Sequence, residues 1–269
     1  MKYSADFKQI ARDSLRGNWK AAALTGFVAS LVGGTLYGGA SEAISLNSDL
    51  LNGMPDVPSE LQNASLIEEF YRILLLWMLF SFIFSIVRFF ICGAFKLGYA
   101  KFNLNLIEGE PAKISDLFSQ FNRFGEGLCM NFMVGLYLYL WSLLFIIPGI
   151  VKRYSYSMTP YILLENPEMS VDQAITESRK IMDGNKGKLF CLELSFIGWD
   201  ILFALPAGII IWLIYIGSIN MILGLVACAV LVFIAQLFLL PYKEAAQAAF
   251  YHEIVYIRNP YDTTYKPVN

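Results

Sequence analysis

The sequence predicts an all-α integral membrane protein, a helical bundle with six transmembrane helices and interfacial amphipathic helices on the cytoplasmic face. Hydrophobic residues make up 57% of the 269 residues, and charged residues make up only 16%. Soluble domains usually contain about 25% charged residues. The apolar residues also gather in segments of about 20, the length that a helix needs to cross a bilayer. A strongly apolar composition arranged in bilayer-length segments therefore sets the fold class.

The first 20 residues combine basic side chains with an apolar stripe. The stripe recurs at helical spacing and predicts an interfacial helix over 4–17. Its members are Phe7, Ile10, Ala11 and Leu15. The basic residues are Lys2, Lys8, Arg12, Arg16 and Lys20. Because cytoplasmic flanks of membrane spans are rich in Lys and Arg, the N-terminus is predicted to be cytoplasmic.

The first predicted span, near 20–45, carries a row of small residues. After Ala22 the row continues with four candidate helix-packing positions, Gly26, Ser30, Gly34 and Gly38. Small residues every four positions let a second helix approach closely. The row indicates tight packing within the chain, with a homodimer seam or a pore lining as the alternatives.

The next elements are assigned by the charges that flank them. Residues 46–71 contain acidic side chains and no Lys or Arg, which predicts an external loop. A second span follows at 72–95. The loop 96–127 is basic and therefore cytoplasmic, and the apolar positions in 114–125 predict a second interfacial helix. A third span is predicted at 128–147.

The segment 166–187 creates a problem of sidedness, because Arg179, Lys180 and Lys186 predict that it is cytoplasmic. A single crossing at 128–147 would leave it outside. We therefore predict a fourth span at 149–165, with Pro148 and Gly149 in an external turn and Pro160 as a candidate hinge. The alternative is a re-entrant pair that does not reach the far side.

The C-terminal half completes a single domain over 1–269. A third interfacial helix is predicted at 170–183, followed by spans at 188–214 and 218–240 and by a C-terminal helix at 241–256. Both termini are then cytoplasmic. Three units, each an interfacial helix followed by a hairpin, indicate a parallel repeat of the kind that occurs in transporters.

Ionisable residues within the predicted spans are the candidate functional groups, because charges are costly in a bilayer. Arg88 and Glu193 fall at similar depths and could pair. Asp200 falls near the predicted bilayer centre, within reach of Arg153, while Lys152 is predicted to extend towards the interface. The Asp200–Arg153 pair is either a gate in a solute path or a structural ion pair that fixes helix register.

The sequence contains no HExxH, GxSxG or P-loop pattern, so we expect no catalytic residue, cofactor or metal. The four cysteines lie in apolar segments without CxxC spacing. No block of basic residues indicates nucleic-acid binding. The expected partners are the lipid bilayer and a membrane protein or a second copy of the chain.

The run from Leu140 to Trp199 carries a family resemblance. Its IPGIVKRYSYSM and LSFIGW stretches resemble the central signature of the domain of unknown function 975 family of bacterial integral membrane proteins. The GNW step that ends at Trp19, Pro241-Tyr242 and Phe250-Tyr251 also look like family features. Members look distantly similar to the membrane domain attached to some glycerophosphodiester phosphodiesterases, but this chain lacks the catalytic portion. Gly187 and Asp200 depart from the family pattern.

The resemblance implies a multi-pass protein of the bacterial cytoplasmic membrane and supplies no substrate. The function expected is non-enzymatic binding of lipid or of a partner protein, in envelope maintenance or in immunity to membrane-active peptides. One alternative is a transporter of small solutes or peptides with a polar site in mid-membrane. A membrane lipid enzyme is the other alternative.

Overall fold

The computed structural model describes residues 3–32 and 64–257, and all regular structure in these ranges is helical. The α helices are α1 Ser4–Leu15, α2 Trp19–Val32, α3 Ala64–Glu108, α4 Phe124–Leu144, α5 Ile146–Tyr156, α6 Thr159–Glu165, α7 Val171–Ile181, α8 Lys186–Leu194, α9 Ile197–Tyr215 and α10 Met221–His252. Two 3-10 turns, Ile114–Phe118 and Phe121–Arg123, precede α4, and a π-helical turn, Glu253–Ile257, follows α10. The all-α class is confirmed for the described part of the chain.

Four described segments are long and apolar enough to cross a membrane. They are Tyr71–Glu108, Ile114–Leu144, Lys186–Tyr215 and Met221–Tyr256. The shorter helix α2 is also apolar, and the rest of the predicted span 20–45 lies outside the described residues. The predicted span 149–165 does not belong to this set.

The long helices α3 and α10 each divide into an exposed half and a buried half. In α3 the side chains from Tyr71 to Phe90 are mostly exposed, whereas those from Cys92 to Leu106 are mostly buried. In α10 burial begins at Leu239. The buried halves pack with α1, α6 and α7 in one core, where Phe7 meets Phe250 at 5.3 Å between ring centroids. The molecule therefore has an apolar layer of outward-facing helices and a packed helical body.

A close crossing joins α3 to the elements that follow it. A Cβ on Gly93 would overlap the backbone oxygen of Gly127, and a Cβ on Gly98 would overlap that of Leu117. No side chain fits at either position, because the obstacle is backbone. Glycine at these positions lets α4 and the first 3-10 turn rest directly on α3.

The chain reverses at Phe145 rather than at Pro148-Gly149, so the predicted turn is wrong by about one helical turn. Phe145 is extended, with φ −162° and ψ 151°, and α5 begins at the next residue. Pro148 and Gly149 thus lie in the first turn of α5, where a missing N–H costs nothing. A Cβ on Gly149 would lie 2.5 Å from Ser142 Oγ. Glycine at position 149 therefore lets α5 approach α4 closely.

The predicted fourth span is also not one helix. The chain breaks at Ser157-Met158, between α5 and α6, and Pro160 lies at the start of α6. The hydroxyl of Ser157 donates to the carbonyl oxygen of Tyr154 at 2.8 Å, which satisfies one carbonyl at the break. Two short helices therefore replace the kinked span that the sequence predicted.

Two of the three predicted interfacial helices form α helices, and their apolar stripes face the body. Phe7, Ala11 and Leu15 of α1 are buried, as are Ala174 and Ile175 of α7. The helix predicted at 114–125 is wrong, because 3-10 turns occupy most of it and α4 already begins at Phe124. The helix predicted at 241–256 is likewise not separate, since α10 runs through Pro241 to His252.

The first and third predicted repeat units share the same corner. Gly17 and Gly184 have positive φ angles of 82° and 70°, a conformation that glycine adopts readily. In each corner the N–H of the next residue, Asn18 or Asn185, donates to the carbonyl oxygen three residues earlier, at 2.9 and 3.1 Å. The second unit lacks this corner, so the local likeness is limited to α1–α2 and α7–α8.

Candidate functional site

The α4–α5 pair, which we call the shallow hairpin, ends in an exposed apolar tip, residues 138–151. Leu143 is 66% exposed, Phe145 71% and Ile147 75%. Lys152 follows the tip directly. At about 1.5 Å of rise per helical residue, the seven residues from Phe145 to Lys152 span only about 10 Å. The tip is therefore a short apolar projection that ends at a cation.

Four basic side chains lie around the base of this tip, and we call them the cationic collar: Lys152, Arg153, Arg179 and Lys186. Lys152 Nζ lies 4.4 Å from the ring centroid of Trp141 on α4, within cation–π distance. A guanidinium nitrogen of Arg153 is 3.8 Å from Glu193, and Lys186 is 3.8 Å from Asp183. The collar draws its cations from α5, α7 and α8.

Hydrogen bonds hold α5 against the two helices that supply the other cations. Ser178 of α7 donates its hydroxyl proton to the carbonyl oxygen of Ser155 at 2.8 Å and accepts from the N–H of Met158 at 3.3 Å. Tyr154 donates to Glu193 of α8 at 2.8 Å. These bonds fix the position of α5 beside α7 and α8, which brings Arg179 and Lys186 near Lys152.

The electrostatic surroundings of Lys152 are positive. Burial lowers the pKa of Lys152, and the neighbouring charges of Arg179 and Lys186 lower it further. Burial is also the main cause that raises the pKa of Tyr154 to about 12, with the Glu193 carboxylate as the next cause. Within residues 3–32 and 64–257, neither Lys152 nor Arg179 forms an ion pair. The collar thus has more positive charge than its own carboxylates balance.

Both ion pairs that the sequence predicted are wrong in their partners. Glu193 faces Arg153 and Tyr154 rather than Arg88. Asp200 pairs with Lys243, whose Nζ lies 2.7 and 2.9 Å from the two carboxylate oxygens. The reason is that Asp200 lies in the first turn of α9, and α10 continues through Pro241 to place Lys243 opposite it.

Sequence reasoning missed Trp141 and Lys243 as partners of Lys152 and Asp200. Counting residues from the turn does not pair Trp141 with Lys152, because Trp141 lies four residues before the reversal at Phe145 and Lys152 lies seven residues after it. Lys243 carries no signal either, because the sequence predicts a separate helix at 241–256. Arg179 and Lys186 were recognised as cytoplasmic charges but not as neighbours of Lys152.

A second polar group lies inside the helical body. The side chains of Glu244, Asn103, Tyr99 and Thr25 are each at most 1% exposed. Asn103 donates its side-chain N–H to the carbonyl oxygen of Tyr99 at 2.9 Å. A Cβ on Gly26 would lie 2.9 Å from the Tyr99 hydroxyl, so Gly26 lets α2 pack closely on α3.

The other members of the small-residue row give less information. Ser30 donates its hydroxyl proton to the carbonyl oxygen of Phe27 at 2.8 Å, within its own helix. Gly34 and Gly38 lie outside the described residues. Among the described side chains, no group of three His, Cys, Asp or Glu residues is placed to hold a metal ion.

Comparison with known proteins identifies the family of this chain but no individual relative. A family model described as "Protein of unknown function (DUF975)" matches residues 1–152 and 144–257 of the chain. The two matched segments together cover most of the sequence. No curated protein and no solved structure matches the chain.

Proposed function

We propose a function for this chain, which belongs to the DUF975 family of proteins of unknown function. The protein is a non-enzymatic, multi-pass membrane protein that contacts the lipids of the cytoplasmic leaflet through its shallow hairpin. One observation carries the proposal: the exposed apolar tip projects from a base of cations that are shared with α7 and α8. The membrane is the bacterial cytoplasmic membrane, and both termini are cytoplasmic.

The proposed topology has four crossings, made by the segments that contain α2, α3, α9 and α10. The shallow hairpin enters the membrane without leaving on the other side. A hydrocarbon core is about 30 Å thick, whereas the tip extends only about 10 Å beyond Lys152. The segments 96–127 and 166–187 are then both cytoplasmic without a fifth and sixth crossing, in agreement with their Lys and Arg content.

The physical chemistry of the tip supports insertion into one leaflet. Moving an exposed Leu, Ile or Phe side chain from water into hydrocarbon is worth about 1.5–3 kcal/mol. Leu143, Leu144, Phe145 and Ile147 are each more than 60% exposed, so the tip has enough apolar surface to hold itself in lipid. Lys152 and Trp141 then lie where long cationic and aromatic side chains favour the interface.

The transporter alternative gains no support from the ionisable residues. A polar mid-membrane site was expected at Asp200 and Arg153, and these residues are engaged with Lys243 and Glu193. We also propose that the protein is not an enzyme. Contact between the shallow hairpin and the cytoplasmic leaflet would serve a role in envelope maintenance or in immunity to membrane-active peptides.

A single tryptophan at the tip tests the proposal. The variant Phe145→Trp is made in a background in which the five native tryptophans are replaced by phenylalanine, and it is reconstituted into vesicles. A tip within the leaflet predicts blue-shifted emission that lipids brominated on their acyl chains quench strongly. Water-soluble iodide should quench it weakly.

The matched control is Ser218→Trp in the same background. Ser218 lies in the exposed turn between α9 and α10, so its emission should be red-shifted and sensitive to iodide. If Phe145→Trp behaves like this control, the tip lies in water and the shallow insertion is excluded.

A further inference from the structure

The cationic collar offers charges that no described carboxylate neutralises. Lys152 and Arg179 lack ion pairs within the described ranges, and the Arg153–Glu193 and Lys186–Asp183 distances of 3.8 Å are longer than charged hydrogen bonds. Asp183 is 86% exposed, so water screens its attraction for Lys186. An anion that met these cations would find several unsatisfied donors.

The side chains next to the collar restrict the kind of anion. Val151 and Ile150 are 44% and 49% exposed and lie one turn or less from Lys152 towards the apolar tip. Trp141 lies against the Lys152 ammonium group on the same side. A ligand that fits both parts has a negatively charged group at the collar and hydrocarbon along the tip.

We propose that the collar formed by Lys152, Arg153, Arg179 and Lys186 binds the phosphate of an anionic phospholipid in the cytoplasmic leaflet. The acyl chains of the lipid lie along the tip, beside Ile150 and Val151. This inference rests on the proposed function, because it requires the collar to lie at headgroup depth. It goes beyond that function by naming a headgroup charge and the residues that select it.

The arrangement of the collar fits a headgroup better than a general attraction to a charged surface. Arg179 and Lys186 come from α7 and α8, and Ser178 and Tyr154 hold these helices against α5. The helices that carry the cations are therefore fixed relative to one another before the lipid binds, which reduces the ordering cost of binding. Arginine also presents a planar fork of donors that matches phosphate geometry.

Native mass spectrometry of the purified full-length protein provides the test. Phosphatidylglycerol and phosphatidylcholine with identical acyl chains are titrated onto the protein in detergent, and bound lipid is counted. The wild-type protein should retain phosphatidylglycerol preferentially. Near a membrane surface each Lys or Arg contributes about 1 kcal/mol, so the double variant Lys152→Gln, Arg179→Gln should bind phosphatidylglycerol about 30-fold more weakly.

A matched variant separates the site from overall charge. Arg16→Gln with Lys20→Gln removes the same charge from exposed positions of the basic N-terminal segment and should leave the preference unchanged. Arg179→Gln alone, at an exposed position, should weaken binding about 5-fold and serves if the double variant does not fold. The charge-preserving variant Lys152→Arg, which leaves Arg179 in place, should keep the preference.

Three results would overturn the inference. The collar variants could bind both lipids as the wild type does, the N-terminal pair could lose the preference equally, or soluble glycerol phosphate could compete as well as the lipid. Tryptophan fluorescence of Phe145→Trp, with and without the collar substitutions, distinguishes this failure from failure of the proposed function. A lipid-embedded tip without headgroup preference contradicts only the inference, whereas a water-exposed tip contradicts the insertion itself.

Discussion

The two helical hairpins of the molecule differ in where their charges lie. In the α9–α10 hairpin, which we call the deep hairpin, Asp200 and Lys243 pair within the hairpin itself. The 15 residues from Asp200 to Tyr215 extend about 22 Å above that pair. In the shallow hairpin Lys152 lies seven residues from the reversal at Phe145, about 10 Å, and its charged neighbours Arg179 and Lys186 belong to α7 and α8.

In the proposed topology, the position of charge limits how far a hairpin enters the membrane, even when the apolar helix is long. Helix α4 has 21 residues, or about 31 Å, and belongs to a segment long and apolar enough to cross. Ser155 of its partner α5, and Met158 in the break that follows α5, are nevertheless hydrogen-bonded to Ser178 on the polar helix α7. The base of the shallow hairpin is thus part of the helical body, and only the tip remains free.

The largest difference in stability between the two hairpins should come from replacing one glycine in each by alanine. Gly127 of α4 faces the backbone of Gly93, which cannot move aside, and Gly224 of α10 faces the flexible end of Ile214. Gly127→Ala should destabilise the protein by about 3 kcal/mol or more, while Gly224→Ala should cost about 1 kcal/mol or less. Thermal unfolding of the detergent-solubilised protein measures both.

Gly135→Ala is the control on the same helix as Gly127, since nothing lies within 4 Å of a Cβ at that position. Equal losses for Gly127→Ala and Gly224→Ala would show that the base of the shallow hairpin is no more rigid than the deep hairpin. That result would remove the structural basis of the comparison.

Removing one carboxylate at the base of each hairpin should give a smaller difference in stability between the two hairpins. Glu193→Ala deprives the buried Tyr154 hydroxyl of its acceptor and Arg153 of its partner, which should cost about 1–3 kcal/mol. Asp200 is 47% exposed, and Asp200→Ala should cost about 0–1 kcal/mol because water screens the pair. Unfolding midpoints in detergent provide the comparison.

The conservative variants Glu193→Gln and Asp200→Asn complete this test. The amide oxygen introduced by Glu193→Gln can still accept from Tyr154, so this variant should recover part of the loss, whereas Asp200→Asn should differ little from Asp200→Ala. A larger cost at Asp200 than at Glu193 would contradict the view that the shallow hairpin is the one anchored by its base.

The sequence is sufficient to predict features that depend on composition and on the spacing of apolar residues. The all-α class, the corners at Gly17 and Gly184, and the buried stripe of α1 follow from apolar spacing and from glycine before a new helix. Ion-pair partners could not be predicted in this way, because they depend on helix continuity. The unbroken course of α10 past Pro241 gave Asp200 its partner Lys243, and the break at Ser157-Met158 divided the predicted fourth span.

The depth of the hairpin could not be predicted for a related reason. Charge counting requires only that 166–187 return to the cytoplasmic side, and both a full crossing and a shallow entry satisfy it. The proposal of a shallow entry is based on contacts that the sequence does not display, above all those of Ser178 with Ser155 and Met158.

Cysteine labelling from the two sides of the membrane tests the central claim most directly. In a background without the four native cysteines, Ile147→Cys in the shallow tip is compared with Ser218→Cys in the turn of the deep hairpin and with Arg179→Cys in the collar. A membrane-impermeant maleimide added outside intact cells should label Ser218→Cys alone, and Arg179→Cys should react only in inverted vesicles. Labelling of Ile147→Cys from outside, at a rate like that of Ser218→Cys, would establish a full crossing and contradict the shallow hairpin.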